Sequence, residues 1–275
     1  MIHMTIAGVG IGAGFPCRFV FEVSNAHNGH VENAHALIDG AKAAGADFVK
    51  FQAYTPDELV ALRGDGPAPN PWGADGWTMR DLYTKAQTPL AWLPELFQHA
   101  RDIGLVPFAS VFGRTSLAAC EAVQCPAYKV AALDNADRAL REAVESTARP
   151  LLISMRREQR LALPTDAAFR ADRQYLLCPE GYPQTPESFA LDKEDFTGWR
   201  GWSGGNSPDF LGISSHCLEP LLPIAAVARG AKLIEMHGQL DTVPSELESN
   251  VSLTVSQFAA MVRAVRATEA MLATA

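Results

Sequence analysis

Short apolar segments alternate with longer segments of helical spacing along most of the chain. Apolar runs typical of buried strands begin near positions 19, 48, 105, 127, 151, 175, 211 and 232. Amphipathic patterns predict helices at 31–44, 79–85, 90–104, 116–123, 136–147, 221–229 and 255–273. Eight strands alternating with helices predict an α/β fold, and in particular a (β/α)8 TIM barrel. An open doubly wound sheet is the alternative, because the number of strands does not establish that the sheet closes.

Two segments stand outside this alternation. Residues 1–18 are rich in glycine and alternate loosely, which predicts a short β-hairpin in front of the barrel. Their glycines lack the spacing of a dinucleotide-binding loop, and no helix follows them. Residues 63–77 are rich in proline and glycine and are long enough to form an active-site lid. We therefore expect one barrel domain over residues 1–275, with the hairpin at 1–18.

The amino-acid composition argues against several classes of binding partner. The net charge of −8 and the pI near 5.4 argue against nucleic acid or an anionic membrane surface. The five cysteines include no C-x-x-C pair, which disfavours a thiolate metal site and suits a reducing compartment. The N-terminus lacks the basic region of a signal peptide, and no segment approaches the length of a membrane span. We expect a cytoplasmic protein that acts on small molecules and forms a homo-oligomer through the barrel faces.

Two histidines follow neighbouring strands of the predicted barrel. His216 comes after the strand at 212–214, and His237 comes after the strand at 232–236. Parallel strands joined by one helix are neighbours, so both imidazoles emerge at the same carboxyl-terminal edge, where they could hold one divalent metal. Glu235 and Ser214 arrive at the same edge. The alternative is two unrelated histidines that backbone groups satisfy.

Polar side chains accumulate where the predicted strands end. They are Glu22, Lys50, Gln52, Ser110, Lys129, Asp134, Ser154, Tyr182, Ser214, His216, Glu235 and His237. Active sites of TIM barrels lie at this end of the strands, so the accumulation indicates an enzyme. Lysines inside apolar strands favour anion binding over internal salt bridges, and a Schiff-base aldolase built on Lys50 or Lys129 stays open. Ser154 and Ser214 are also ordinary small strand residues, and Tyr182 also suits plain packing.

Seven segments carry a recognisable pattern. They are FEVSNAHNG, VKFQ, PAYKVAALD, RPLLIS, YLLCPEGYPQTP, GISSHC and GAKLIEMH. Taken in order, they resemble the N-acetylneuraminate (sialic acid) synthase family over about Phe19 to Met261. The resemblance covers the catalytic barrel of that family.

The resemblance implies a transferase of carbohydrate biosynthesis. Such an enzyme condenses phosphoenolpyruvate with a sugar aldehyde, releases phosphate and forms a 3-deoxy-2-keto sugar acid. It implies that His216 and His237 hold a catalytic Mn²⁺ or Mg²⁺, which acts as a Lewis acid on the aldehyde oxygen. Together with the strand-end pattern, it assigns catalytic roles to Glu22, Lys50, Lys129 and Glu235. Substrate binding is assigned to Gln52, Ser110, Asp134, Ser154, Arg156, Tyr182, Ser214 and Glu248.

The sequence also departs from the family pattern. Ala132 and Leu133 replace a serine and a glycine, and Glu180 places an anion near the expected phosphate. Because the sequence stops at Ala275, we expect it to lack the family's C-terminal antifreeze-like domain, which supplies an arginine to the partner's active site. We hypothesise that Arg156 or Arg157 supplies this cation instead. The alternatives are a metal-dependent barrel aldolase or lyase that does not use phosphoenolpyruvate, and a catalytically silent sugar-binding barrel.

Overall fold

The structure, a computed structural model, describes residues 3–161, 172–192, 195–196 and 210–273. Its strands are β1 (His3–Ile6), β2 (Val9–Gly12), β3 (Arg18–Glu22), β4 (Phe48–Ala53), β5 (Val106–Val111), β6 (Tyr128–Val130), β7 (Leu151–Met155), β8 (Arg173–Leu177), β9 (Gly212–Ser215), β10 (Leu233–Gln239) and β11 (Ser252–Thr254). Its helices are α1 (Val31–Ala43), α2 (Pro56–Arg63), α3 (Met79–Ala86), α4 (Leu93–Asp102), α5 (Arg114–Ala122), α6 (Arg138–Glu145), α7 (Arg157–Leu161), α8 (Pro186–Phe189), α9 (Leu221–Ala228) and α10 (Val255–Leu272).

Strands β3 to β10 form a closed barrel. They run parallel, and each pairs with the next in chain order. Strand β10 closes the ring, because Leu233 lies opposite Gly212 of β9 on one side and opposite Arg18 of β3 on the other. The predicted TIM barrel is therefore confirmed, and the open sheet is excluded. The short strand β11 continues the sheet beside β10.

Strand alternation sends aromatic rings outward and charged side chains inward. Phe21 of β3 packs against Phe258 of α10 with 5.0 Å between the ring centroids, and Phe51 of β4 packs against α4 in the same way. Successive residues of a strand point to opposite faces. Glu22 and Lys50, which are adjacent to these phenylalanines in sequence, therefore point into the barrel. The apolar contact with the helix layer thus fixes the direction of the charged groups.

The N-terminal hairpin, β1 and β2, covers the amino-terminal end of the barrel. Its two-residue turn has positive φ at both Ala7 (47°) and Gly8 (84°), as the twist of a tight hairpin requires. Nε of Arg18, the first residue of β3, donates to the carbonyl of Gly10 at 3.0 Å. The hairpin side chains that enter the hydrophobic core are Met4, Ile6 and Ile11. The predicted hairpin is therefore present, at the end opposite to the strand carboxyl termini.

Helices α4 and α2 differ from the sequence prediction, and the short helices α7 and α8 were not predicted either. The segment predicted as one helix at 90–104 is a 3-10 turn (Leu90–Trp92) followed by α4, because Pro94 can join only the first turn of an α-helix. Helix α2 was not predicted. Thr55 and Glu58 form a reciprocal capping box at its start, and Pro56 occupies the first helical position. Among the described residues, no helix combines the length and apolarity that a bilayer crossing requires.

The proline- and glycine-rich segment between α2 and α3 folds back onto the barrel mouth. Pro67 forms an isolated bridge with Thr78, and a 3-10 turn spans Trp72–Asp75. Pro69 and Trp72 line the cavity at the strand carboxyl ends. The segment expected to act as a lid is therefore part of the cavity wall.

We predict that Gly212→Ala weakens the barrel closure. A methyl group at this position would lie 1.8 Å from the carbonyl oxygen of Leu233 in β10, so the two strands would have to separate. The expected loss is about 2 kcal/mol or more in the free energy of unfolding, measured by urea denaturation. Gly66→Ala is the control, because a methyl group there meets nothing within 4 Å. Equal stability of the two variants would contradict this account of the closure.

Candidate active site

One cavity of about 500 Å³ opens at the carboxyl ends of the barrel strands. It is lined by every site residue predicted from the sequence except Asp134. The hairpin lies at the other end of the barrel, and the cavity therefore faces the side where TIM-barrel active sites are found.

The two predicted histidines meet at the edge of this cavity. His216 directly follows β9 and His237 lies in β10, and these strands are paired. Their ring centroids are 5.0 Å apart with 63° between the ring planes. The ring of Tyr182 covers the pair, at 4.6 Å from His216 and 6.2 Å from His237. The prediction that both imidazoles emerge together is confirmed.

The electrostatic setting of these imidazoles fits a divalent metal. Burial, followed by the neighbouring His237 and Lys129, lowers the pKa of His216 to about 3, so its ring is neutral. Nδ1 of both rings is buried and has no hydrogen-bond partner among the described residues. A neutral imidazole with a free ring nitrogen, such as that of His216, is a common ligand of divalent metals.

The described part of the chain holds no group of three or more histidine, cysteine, aspartate or glutamate side chains arranged for a metal. A metal here would be held by two protein imidazoles, one ligand fewer than the three of a usual catalytic zinc site, and water or substrate would have to supply the other ligands. Nδ1 of His237 lies 3.4 Å from Oε2 of Glu248. This contact between the two side chains is electrostatic, because neither atom has a hydrogen-bond partner among the described residues.

Lys50 lies on the floor of the cavity within a set of polar contacts. Its ammonium group donates to Glu22 and to Oγ of Ser110, the latter at 2.9 Å, and it lies 3.7 Å from Glu235. All four side chains are buried. Burial lowers the pKa of Lys50 to about 7 against the opposing effect of Glu235. This amine therefore keeps its proton only through the carboxylates around it.

Lys129 forms the other half of the floor. Its ammonium group donates to Glu235 and to Oγ of Ser214 at 2.8 Å, and Ser214 donates to Oε1 of Glu235 at 3.0 Å. Burial opposes ionisation of Glu235, but Lys129 and Lys50 outweigh it and hold the pKa of this carboxyl below its usual value. Oε2 of Glu235 is buried without a hydrogen-bond partner among the described residues. The floor thus combines two amines, two carboxylates and hydroxyl groups.

The loop after β3 is fixed by hydrogen bonds next to the floor. Oε1 of Glu22 accepts from the Ser24 amide at 2.8 Å, and the Gln52 side chain donates to Oγ of Ser24 at 3.0 Å. His27 is fully buried; its Nδ1 accepts from the Gly29 amide, so Nε2 carries the proton near Thr88. His27 therefore supports the loop after β3 from within the protein. Gln52 faces the cavity as part of this loop support.

Two further predicted residues, Ser154 and Tyr182, line the cavity. Oγ of Ser154 is buried at the cavity wall without a hydrogen-bond partner among the described residues. The hydroxyl of Tyr182 donates to Oε1 of Glu248. Burial opposes ionisation of Glu248, but His237 and the hydroxyl groups of Tyr182 and Ser24 together hold the pKa of this carboxyl below its usual value. Glu248 is therefore an acceptor that faces both the imidazole pair and the cavity.

The structure separates the two arginines that were considered as replacement cations. Arg156 lines the cavity, and its guanidinium lies 2.9 Å from Oε2 of Glu180, whose side chain is 81% exposed. Arg157 points elsewhere, to Asp195 and to the carbonyl groups at the end of α8. Glu180 therefore turns toward solvent and Arg156. Only Arg156 stays a candidate for contact with the substrate.

Asp134 does not line the cavity, because Arg63 covers it. Nε and Nη2 of Arg63 donate to the two oxygens of the buried Asp134 carboxylate at 3.0 and 2.5 Å. Arg63 itself lines the cavity. Sequence reasoning missed Arg63 because helix α2 was missed; the capping pattern Thr55-Pro56 with Glu58 was the available signal.

The comparisons with known proteins agree with this geometry. Residues 37–275 match the model of the NeuB family. The chain belongs to the NeuB family. The resemblance of the seven sequence segments to the sialic acid synthase family is therefore confirmed.

Several relatives of this NeuB chain are known. It is 31% identical over 266 residues to a pseudaminic acid synthase of Campylobacter jejuni subsp. jejuni, which covers 92% of this chain and 74% of the relative. It is 27% identical over 277 residues to the N-acetylneuraminate-9-phosphate synthase of Mus musculus, with 95% and 73% covered. The crystal structure of a sialic acid synthetase from Leptospira borgpetersenii matches with a TM-score of 0.81 at 20% identity, covering 98% of this chain and 90% of that one. This last likeness supports the barrel fold.

We predict that Lys129→Met destabilises this NeuB-family barrel. The substitution leaves the buried carboxylate of Glu235 without its main partner, and breaking a buried ion pair in this way costs about 3 kcal/mol. The measurement is the free energy of unfolding in urea at neutral pH. Lys85→Met is the control, because Lys85 pairs with Glu246 at the surface and such pairs contribute less than about 1 kcal/mol. A loss no larger than that of the control would show that the floor contact is unimportant for folding.

Proposed function

We propose that the chain is a transferase that condenses phosphoenolpyruvate with a sugar aldehyde to form a 3-deoxy-2-keto sugar acid. The observation that carries this proposal is the convergence of two buried amines and two adjacent imidazoles in one cavity. The amines suit an anionic donor, and the imidazoles suit a metal that activates a carbonyl group. The names of the relatives, pseudaminic acid synthase and N-acetylneuraminate-9-phosphate synthase, support a synthase of this type.

The floor of the cavity would hold phosphoenolpyruvate. Lys50 and Lys129 would neutralise its carboxylate and phosphate, and the hydroxyl groups of Ser110, Ser154 and Ser214 would donate hydrogen bonds to its oxygens. Ser154 supports this assignment, because its buried hydroxyl has no partner among the described residues. Glu180 also lines the cavity, but Arg156 pairs with its carboxylate and offsets its negative charge.

His216 and His237 would hold a divalent cation, Mn²⁺ or Mg²⁺. When bound, this cation supplies Lewis-acid polarisation of the aldehyde oxygen. Glu248 would be the nearest carboxylate to this cation site, because its Oε2 lies 3.4 Å from Nδ1 of His237. Tyr182, which contacts both rings, would shield the pair from solvent.

The reaction forms one carbon–carbon bond and releases one phosphate. Carbon 3 of phosphoenolpyruvate bonds to the aldehyde carbon, whose oxygen takes up a proton and becomes a hydroxyl group. Water adds to carbon 2, and loss of inorganic phosphate leaves the 2-keto group. Glu22 would orient the aldehyde and handle its proton from its place beside Lys50, and Glu235 would do the same for the attacking water. Gln52 would orient the substrate from the rim of the floor.

We predict that phosphate release from phosphoenolpyruvate requires both an aldose and Mn²⁺ or Mg²⁺. The test measures inorganic phosphate and the 3-deoxy-2-keto acid product over a panel of aldoses and aldose phosphates. Lys50→Met should lower kcat/KM by roughly a hundredfold or more, because the donor anion loses a buried cation. Lys85→Met, which changes a surface lysine outside the cavity, should leave the rate unchanged.

Three results would contradict this proposal. Phosphate release without any aldose would show a phosphatase-type activity. A carbonyl-dependent loss of activity on borohydride treatment would indicate a Schiff base on one of the lysines instead. Absence of product with every aldose would favour a silent sugar-binding barrel.

We also predict that His216→Ala/His237→Ala removes a bound metal. Both imidazoles would be needed as ligands, so the Mn²⁺ retained after gel filtration should fall from close to one per chain to near zero. Elemental analysis measures this directly and does not depend on turnover. His30→Ala is the control, because His30 is exposed at the start of α1, away from the cavity. Equal Mn²⁺ content in the two variants would contradict the assigned ligands.

A further inference from the structure

A second cavity lies on the outer face of the barrel, apart from the active-site cavity. It has a volume of about 200 Å³, and its described lining residues are Asn135, Ala136, Arg141, Ile153, Met155, Gln159 and Tyr175. Ile153 of β7 and Tyr175 of β8 lie opposite each other on paired strands and share this outer face. None of these seven residues lines the active-site cavity. The space is therefore a separate one, and we call it the outer cavity.

The two cavities lie on opposite sides of the same strand end. Ser154 and Arg156 line the active-site cavity, whereas Met155 between them lines the outer cavity. Successive residues of a strand point to opposite faces, so the end of β7 is the wall between the two cavities. A ligand in the outer cavity would therefore contact the segment that presents Ser154 and Arg156 to the active site.

Arg141 of α6 gives the outer cavity a cation without a partner. Its Nε is buried and forms no hydrogen bond, and no carboxylate of the described residues pairs with its guanidinium. Carboxylates stand four residues before and after it, at the spacing of helical ion pairs. Asp137, however, accepts from the Leu140 amide at 2.8 Å as the cap of α6. Glu145 pairs with Arg173 of β8 at 2.7 Å. The guanidinium of Arg141 is therefore available to an anion.

An amide pair in the outer cavity fixes the end of β7. The side chains of Asn135 and Gln159 donate to each other's oxygens, both at 3.0 Å. Asn135 also donates to the Ser154 carbonyl at 2.9 Å. Oε1 of Gln159 also accepts from the Arg156 amide at 2.8 Å. The Gln159 side chain has two N–H donors, and one of them has no partner in the described part of the chain. The pair therefore supports the active-site wall and keeps one donor for a ligand.

These features suit a small carboxylate with an apolar body. A carboxylate can accept two hydrogen bonds from the Arg141 guanidinium and a further one from the free donor of Gln159. Ile153, Met155 and the ring of Tyr175 add apolar walls that suit a short chain or a single ring. A phosphate dianion suits the site less, because Arg141 is the one cation among the described lining residues. The cavity is also smaller than the pockets that hold drug-sized ligands.

We propose that the outer cavity binds a small monocarboxylate and that this ligand strengthens the binding of phosphoenolpyruvate on the other side of β7. The ligand takes the free donors of Arg141 and Gln159, so the bonds to Ser154 and Arg156 stay intact. An anion on the Gln159 N–H makes the oxygen of the same amide a better acceptor for the Arg156 amide, because hydrogen bonds in a chain polarise one another. The coupling rests on the proposed function, whereas the binding of the carboxylate does not.

The first test measures binding without turnover. Butyrate and benzoate are the probes, butyramide is the uncharged comparison, and ligand-observed NMR gives the Kd of each. Arg141→Gln should raise the Kd of both acids about tenfold or more, because a charged hydrogen-bond donor is lost. Arg138→Gln is the control and should leave the Kd unchanged, since Arg138 lies on the same helix but pairs with Glu142 at the surface. Butyramide should bind more weakly than butyrate.

A second variant tests the amide contact. Gln159→Glu keeps an oxygen that can accept from the Arg156 amide, but it places an anion where the ligand carboxylate would lie. The affinity for butyrate should fall at least as far as in Arg141→Gln. Unchanged affinity would show that Gln159 does not contact the ligand and would overturn its assigned role.

The second test measures the coupling between the two cavities. Saturating butyrate should lower the Kd of phosphoenolpyruvate, measured by calorimetry, about fivefold. Saturating phosphoenolpyruvate should lower the Kd of butyrate by the same factor, because coupling between two sites is reciprocal. Arg141→Gln should lose this effect and keep the phosphoenolpyruvate Kd that the unmodified protein has without butyrate.

The outcomes separate the proposed site, its coupling and the proposed function. Equal butyrate affinity in Arg141→Gln and Arg138→Gln would overturn the site. Binding that is lost in Lys50→Met and kept in Arg141→Gln would place the ligand in the active-site cavity and would overturn it as well. Arg141-dependent binding that leaves the phosphoenolpyruvate Kd unchanged, or raises it, would overturn the coupling. If phosphoenolpyruvate does not bind, the proposed function is wrong, and the butyrate measurements still decide whether the outer site exists.

Discussion

The contacts between buried amines and carboxylates are the constraint on which the rest of the molecule depends. An ammonium group inside an apolar barrel is strongly unfavourable unless a carboxylate stands beside it. Glu22 and Lys50 meet because they lie opposite each other on the paired strands β3 and β4. Lys129 and Glu235 come from β6 and β10, which are not neighbours, so their contact crosses the barrel interior. These contacts exist only in a closed barrel of this register, and closure and site therefore depend on each other.

Much of this arrangement could be predicted from the sequence because its causes are local. Strand residues such as Phe21 and Phe51 show the alternation that sends Glu22 and Lys50 inward, and this pattern is readable without coordinates. The meeting of His216 and His237 follows from one topological rule, that parallel strands joined by a helix are neighbours. The alternation of eight strands with helices predicted the fold class, although closure itself required the pairing of β10 with β3.

The remainder could not be predicted because it depends on distant pairs of side chains. Arg63 and Asp134 are far apart in sequence, and nothing near either position indicates that the Arg63 side chain covers Asp134. Glu180 does place an anion in the cavity wall, and the sequence gives no sign that Arg156 pairs with it. Side-chain direction in a loop is set by the partners that the folded chain supplies. The sequence therefore indicated which residues gather at the mouth, and the structure decides which of them face inward.

The hairpin at the amino-terminal end of the barrel affects the order in which substrates enter the cavity. The buried apolar side chains of Met4, Ile6 and Ile11 close that end of the barrel. The cavity therefore opens to solvent above the carboxyl ends of the strands. In a cavity that is open at one end, the ligand that binds deepest has to bind before the ligand above it. If phosphoenolpyruvate binds at the floor of the cavity, it has to bind before the sugar. The bound sugar then blocks its release.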